Sequence, residues 1–172
     1  EGDDKVIESF LVPCFSNSVL YQKLAGYFTS AAFNIVKPSI SDFVMKGGCI
    51  ELVCSPNLDE SDVHKINQGY KIKETIDDYI RREIEKGLVD PLAKLKYDFI
   101  SSLIALDALQ IKIAYKSNKL GIFHPKMSVF IDKNGDFITT KGSNNETYSA
   151  VSGEVNWESF DTFKSWMPED SK

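Results

Sequence analysis

The feature that most constrains the fold is the Asn134–Gly135 pair, which separates two runs rich in apolar residues. Asn-Gly is the strongest short signal for a β-hairpin, because both residues tolerate the positive φ that a tight two-residue turn requires. Ile122–Ile131 before the pair and Phe137–Thr140 after it therefore predict two antiparallel strands. Such a hairpin places the end of the second strand beside the beginning of the first.

The first half of the chain predicts an α/β alternation. Cys49–Cys54 is a compact buried-type strand, and it follows a helix that begins near Pro38 and ends at Gly47. Upstream, Lys5–Pro13 indicates a short opening strand or coil. Ser18–Phe33 mixes helix-like and strand-like spacing, and the pattern leaves both open.

The second half predicts helices and then further strands. Helices are expected over Glu74–Lys86 and from Asp90 to Leu106, and strands over Leu109–Tyr115 and Val155–Phe163. Strands that alternate with helices predict an α/β fold with a mixed central sheet. At 172 residues, 42% of them hydrophobic, the chain fits one domain, which we assign to residues 1–167 with 168–172 as a tail or linker stub.

Composition narrows the functional classes. No apolar run reaches the roughly 18 residues that a membrane span needs, so no membrane partner is expected. Three cysteines without CxxC spacing indicate free thiols in a reducing, cytoplasmic compartment, and the two histidines make a metal site improbable. A net charge of −5 argues mildly against nucleic-acid binding by overall charge. The acid-free window from Ala108 to Ile131 leaves room for a local basic groove, although a solvated face is the alternative.

The chemistry concentrates around the hairpin. His124 and Lys126 are two residues apart on a predicted strand and so project from the same face. The hairpin brings Ser143 and Asn145 towards them. A neutral imidazole can attack phosphorus while lysine, hydroxyl and amide donors hold the other oxygens. The alternatives are a structural histidine and a helix capping box from Ser143 to Glu146.

His124-Pro125-Lys126 followed by Gly142-Ser143-Asn144-Asn145 resembles the HxK…GSxN signature of the phospholipase D superfamily, in particular its nuclease-like branch. The resemblance implies an α/β/α sandwich with a mixed central sheet, and a metal-independent phosphodiesterase without cofactors that acts as a nuclease on DNA, with RNA left open. By the same resemblance His124 is the nucleophile and Glu158 orients it, with Glu154 as the alternative. The residues that would bind the phosphate are Lys126, Ser143 and Asn145.

One departure concerns an aspartate that the full signature places at position 131, where this chain has Ile131, with Asp132 one residue late. The signature also occurs once, whereas the family's reaction uses a second histidine. His64 lacks the HxK context and is expected at the surface. The resemblance therefore implies a homodimer with a shared active site, and an attached or partner helicase or specificity domain. A non-catalytic nucleic-acid or phosphate-binding module and a phospholipid phosphodiesterase remain the alternatives.

Overall fold

The computed structural model describes residues 6–28, 30–55, 60–61, 63–71, 99–114, 123–143 and 160–167. A π-helical turn, Ile7–Leu11, runs into helix α1. The helices are α1 (Val12–Asn17), α2 (Ser30–Ile35), α3 (Lys37–Met45), α4 (63–71) and α5 (Phe99–Ala105). The strands are β1 (Leu20–Ala25), β2 (Cys49–Cys54), β3 (Leu109–Ile113), β4 (Met127–Ile131), β5 (Phe137–Gly142) and β6 (Phe160–Lys164).

The described strands form one mixed six-stranded sheet in the order β3-β2-β1-β4-β5-β6. β1, β2 and β3 are parallel, whereas β4, β5 and β6 are antiparallel to their neighbours. The predicted α/β class and mixed sheet are confirmed. The predicted hairpin is confirmed as well, because β4 and β5 pair from Met127↔Lys141 to Ile131↔Phe137. The turn is longer than the two-residue turn expected, since the Asp132 amide donates to the Asp136 carbonyl and only Gly135, not Asn134, has a positive φ, of +88°.

The core lies against one face of this sheet. β1 alternates strictly, so that Tyr21, Lys23 and Ala25 are buried while their neighbours are half-buried. Phe15 of α1 packs edge-on against Tyr21 at 5.0 Å and against Phe130 of β4 at 5.2 Å between ring centroids. Buried side chains of α3 and α5 join the same cluster. The prediction that helices also cover the second face is not tested by the described residues.

Two predictions for the N-terminal third are revised. Lys5–Pro13 was expected as strand or coil, but residues 7–17 are helical, because Ile7, Phe10 and Leu11 pack on the core with helical spacing. Pro13, which has no amide hydrogen to donate, lies in the first turn of α1, directly after the π-helical turn. The ambiguous stretch Ser18–Phe33 contains both elements, first β1 and then α2.

Other predictions agree with the described parts. The helix predicted from Pro38 to Gly47 and the strand Cys49–Cys54 correspond to α3 and β2, and the strand from Leu109 corresponds to β3. The predicted helix over Glu74–Lys86, the first part of the helix from Asp90 and the capping box after Ser143 lie outside the described residues. None of the helices formed by described residues is long and apolar enough to cross a membrane.

Candidate functional site

His124 and Lys126 lie immediately before β4, which corrects the prediction that the strand begins at Ile122. Residues 123–126 have no regular structure, and β4 begins at Met127. Pro125 supplies the physical reason, because proline has no amide hydrogen to donate to a strand ladder. The Gly142 amide still donates to the Lys126 carbonyl at 3.2 Å, so the pairing extends one residue beyond the strand. Lys126 therefore remains fixed opposite the end of β5.

The two side chains are in direct contact. The Lys126 ammonium lies 2.8 Å from Nδ1 and 2.9 Å from Nε2 of His124, and 3.3 Å from the His124 carbonyl oxygen. An ammonium can only donate, so each ring contact is a hydrogen bond only when that nitrogen carries no proton. The His124 side chain is exposed and Lys126 is half-buried. A solvent-accessible imidazole thus contacts a cation at the end of the sheet where β1 ends and β4 begins, which we call the catalytic edge.

Gly26 shapes the seat of the His124 ring, and the sequence pattern did not single it out for this role. A β-carbon built on Gly26 would lie 3.1 Å from Cγ and 3.2 Å from Cα of His124, and closer still to Cδ2. Only glycine leaves enough room for this approach. The neighbouring Tyr27 ring packs edge-on against the imidazole, with centroids 5.6 Å apart. Gly26 and Tyr27, which directly follow β1, therefore position the His124 ring through close packing.

Ser143, the third predicted site residue that the structure describes, follows β5 directly and is exposed. Since Gly142 pairs with Lys126, Ser143 comes to the same edge of the sheet, as the hairpin predicts. β6 also begins there, with Phe160 opposite Gly142. Asn145, Glu154 and Glu158 lie outside the described residues, so their assignments remain predictions.

Asp132 lies at the other end of β4 and caps the hairpin turn. Its Oδ1 accepts hydrogen bonds from the amides of Asn134 at 2.8 Å and Asp136 at 3.0 Å. This is a local side-chain-to-backbone turn of the kind that aspartate favours. Asp132 is therefore committed to the turn, and it does not replace the aspartate of the full signature.

Of the lysines in the acid-free window, the structure describes Lys112 and Lys126, and these two do not share a face of the sheet. Lys112 is on β3, and the register Lys112↔Val53, Leu24↔Val53 and Leu24↔Met127 places it on the face opposite Lys126. Two strands, β2 and β1, separate β3 from β4. Lys116 and Lys119 lie outside the described residues. Among the described residues, Lys112 and Lys126 therefore do not form a continuous basic stripe.

The remaining histidine and the cysteines are placed as expected from the sequence. His64 is exposed on α4. All three cysteines are free thiols, and burial raises the pKa of Cys14 and of Cys54 to about 11. Burial also raises the pKa of the half-buried Cys49. Within the described ranges, no three His, Cys, Asp or Glu side chains group as ligands for a metal ion.

No protein-family model matches the sequence, and no curated protein matches it. Among solved structures, the chain is similar to yeast tyrosyl-DNA phosphodiesterase, with 12% identity and a TM-score of 0.43 over 87% of this chain and 27% of that one. A histidine variant of the yeast enzyme gives 13% identity and a TM-score of 0.44 over 90% and 28% of the two chains. This chain thus spans about a quarter of those structures. At such values the functional argument rests on the site residues themselves.

Proposed function

We propose that this chain is a metal-independent phosphodiesterase, a nuclease that hydrolyses DNA through a phosphohistidine intermediate. The observation that carries the proposal is the contact of Lys126 Nζ with the His124 ring nitrogens at 2.8 and 2.9 Å, at the end of the sheet where Gly142 ends β5 and Ser143 follows it. The reaction needs a nucleophile and donors for the charged phosphate oxygens. The accessible imidazole of His124 is the nucleophile, and the ammonium of Lys126 and the hydroxyl of Ser143 are the donors.

The reaction has two displacement steps. A ring nitrogen of His124 attacks phosphorus, so that a P–N bond forms and the P–O bond to the leaving nucleoside oxygen breaks. A general acid gives that oxygen a proton. Water then attacks the same phosphorus and passes a proton to the same group, now a base, while the P–N bond breaks and the imidazole is restored. Water is the only co-reactant.

The other residues stabilise charge and orient the nucleophile. Lys126 faces the position where negative charge grows on the non-bridging oxygens, and an ammonium donor there stabilises the transition state. Glu158, with Glu154 as the alternative, orients the imidazole in the proposal. The phosphate donors in addition to Lys126 are Ser143 and Asn145.

The general acid comes from a second copy of the chain in this proposal. The only other histidine, His64, is exposed on α4 and lacks a lysine two residues later. A two-fold axis through the catalytic edge would present His124 of the partner subunit to the leaving oxygen. Light scattering tests this arrangement: an active species of twice 19.3 kDa supports it, and full activity in a 19.3 kDa monomer contradicts it.

The covalent intermediate can be tested directly. A short oligonucleotide labelled on the phosphate that stays with the enzyme is mixed with protein in EDTA and quenched within seconds in denaturant. We expect label on the protein that is stable in alkali and lost in acid, as expected for a phosphoramidate. The label should be absent from His124→Ala and present in His64→Ala. Cleavage by the wild type without any such label would refute the covalent step.

A binding module is the second candidate, favoured by the net charge of −5 and by Ile131 at the aspartate position. In that case the same edge would hold nucleic-acid ends without turnover. The three free thiols fit a reducing compartment, and we propose a cytoplasmic location. An attached or partner helicase or specificity domain belongs to the proposal too, because Arg81 and Arg82 are the only arginines available for reading base edges.

A further inference from the structure

A buried polar row crosses the sheet beneath the candidate site. Lys23 of β1 pairs with Ser128 of β4, which pairs with Thr140 of β5. The three side chains are 7%, 4% and 8% exposed, and the hydroxyl groups of Ser128 and Thr140 are hydrogen-bonded to each other. Directly opposed residues share a face, so all three lie on the core side of the sheet.

The row separates the apolar core from the catalytic edge. On the side away from His124, the next row contains Tyr21 and Phe130, whose rings stack with centroids 4.5 Å apart. On the other side, the next row contains Lys126 with Gly142 opposite it. Extending the β1–β4 register by one residue places Ala25, which is fully buried, at the other flank of Lys126. Small residues therefore flank Lys126 on both sides.

Lys23 is long enough to act on the site from below. Two residues along a strand cover about 6.6 Å, and an extended lysine side chain spans a similar distance. Ala25 and Gly142, the residues beside Lys126, have no large side chain that would separate Lys23 from the Lys126 position on this face of the sheet. Lys23 lies one strand across and two residues along from Lys126 on the same face, so their Cα atoms are roughly 8 Å apart.

We propose that Lys23 is a positioning residue of the phosphate site: its buried positive charge, set behind Lys126 by the Lys23–Ser128–Thr140 row, strengthens anion binding at the His124–Lys126 edge. The inference rests on the proposed function. In this proposal the site has two lysines: Lys126, which is half-buried, and Lys23, which is buried. Charge acting at this range through the protein interior is worth about tenfold in affinity.

The test compares Lys23→Met, Lys23→Arg and Lys164→Met with the wild type. Lys164 is a strand lysine too, but it pairs with Ile138, two rows from Lys126, so its replacement removes the same charge at a distance from the site. Inorganic phosphate binding is measured by calorimetry, kcat and KM for oligonucleotide cleavage are measured in EDTA, and Tm reports folding.

We expect folded Lys23→Met to bind phosphate about tenfold more weakly than the wild type, and its kcat/KM to fall by a similar factor. Lys23→Arg should recover most of the affinity, and Lys164→Met should retain it. Wild-type phosphate affinity in folded Lys23→Met would overturn the inference. If Lys23→Met does not fold, Lys23→Gln takes its place with the same expected loss of affinity. Absence of cleavage by the wild type would count against the nuclease proposal alone, since phosphate binding tests Lys23 separately.

Discussion

Replacing Gly26 by alanine should disable the site while leaving the fold in place. The new methyl group would lie 3.1 Å from His124 Cγ and 3.2 Å from His124 Cα, where ordinary contacts begin at 3.4 Å. Because the His124 side chain is exposed, it can swing aside and relieve most of the clash. It would then leave the position in which Lys126 contacts its ring nitrogens.

The expected magnitudes follow from this geometry. A displacement of about 1 Å in a reacting group can lower a rate about 100-fold, so we expect kcat/KM for cleavage to fall by about that factor. Stability should change by less than about 1 kcal/mol. Gly26 does not have a positive φ, so alanine restricts the unfolded chain by about 0.4–1 kcal/mol, and this offsets the residual crowding.

Gly48→Ala is the matched control. Gly48 also lacks a positive φ, but its new methyl group would lie 2.6 Å from the buried ring of Phe43, distant in the sequence from the site residues. It should lower Tm and leave kcat/KM per folded molecule unchanged. The assay is oligonucleotide cleavage in EDTA, with Tm measured by circular dichroism. Wild-type kcat/KM in folded Gly26→Ala would refute the idea that Gly26 seats the nucleophile.

Three further predictions concern single side chains. Lys126→Ala should raise KM and lower kcat together, because Lys126 binds the phosphate in the ground state and binds it more strongly as charge develops in the transition state; a change in kcat alone, measured by steady-state kinetics, would contradict that role. Asp132→Ala should lower the free energy of unfolding by about 1 kcal/mol in urea through loss of the turn contacts, and a fall in kcat/KM of the folded variant would contradict its placement outside the site. The folded pKa values of Cys14 and Cys54 are raised from 9.0 to about 11, so the unfolded thiols lose their protons first as pH rises. Stability should therefore fall between about pH 9 and 11, by up to about 1.4 kcal/mol per pH unit for each thiol, and urea titrations in which Cys54→Ala shows the same slope as the wild type would contradict this.

The sequence was most informative where local chemistry decides the structure. The Asn134–Gly135 turn and the apolar run Cys49–Cys54 each identify an element, because turn geometry and burial leave few alternatives. The hairpin also explains why Ser143 follows directly on the residue that pairs with Lys126, since strand pairing brings residues distant in the sequence side by side.

Other features depend on contacts that local patterns do not contain. The helical N-terminus is decided by the core against which Phe10 and Phe15 pack, and that core includes Phe130 from the far end of the chain. The role of Gly26 becomes visible only when β4 is placed beside β1. Lys23 reads as an ordinary polar residue in an alternating strand, and only the sheet register shows that it lies on the buried face.

Cleavage of single- and double-stranded DNA in EDTA by the wild type, His124→Ala and His64→Ala tests the role of His124. If His124 is the nucleophile, the wild type and His64→Ala cleave alike without metal, and His124→Ala folds normally, still binds DNA and does not cleave. Cleavage by His124→Ala at the wild-type rate would show that His124 is not the nucleophile. DNA binding without cleavage by any of the three proteins would contradict the nuclease and favour the binding module.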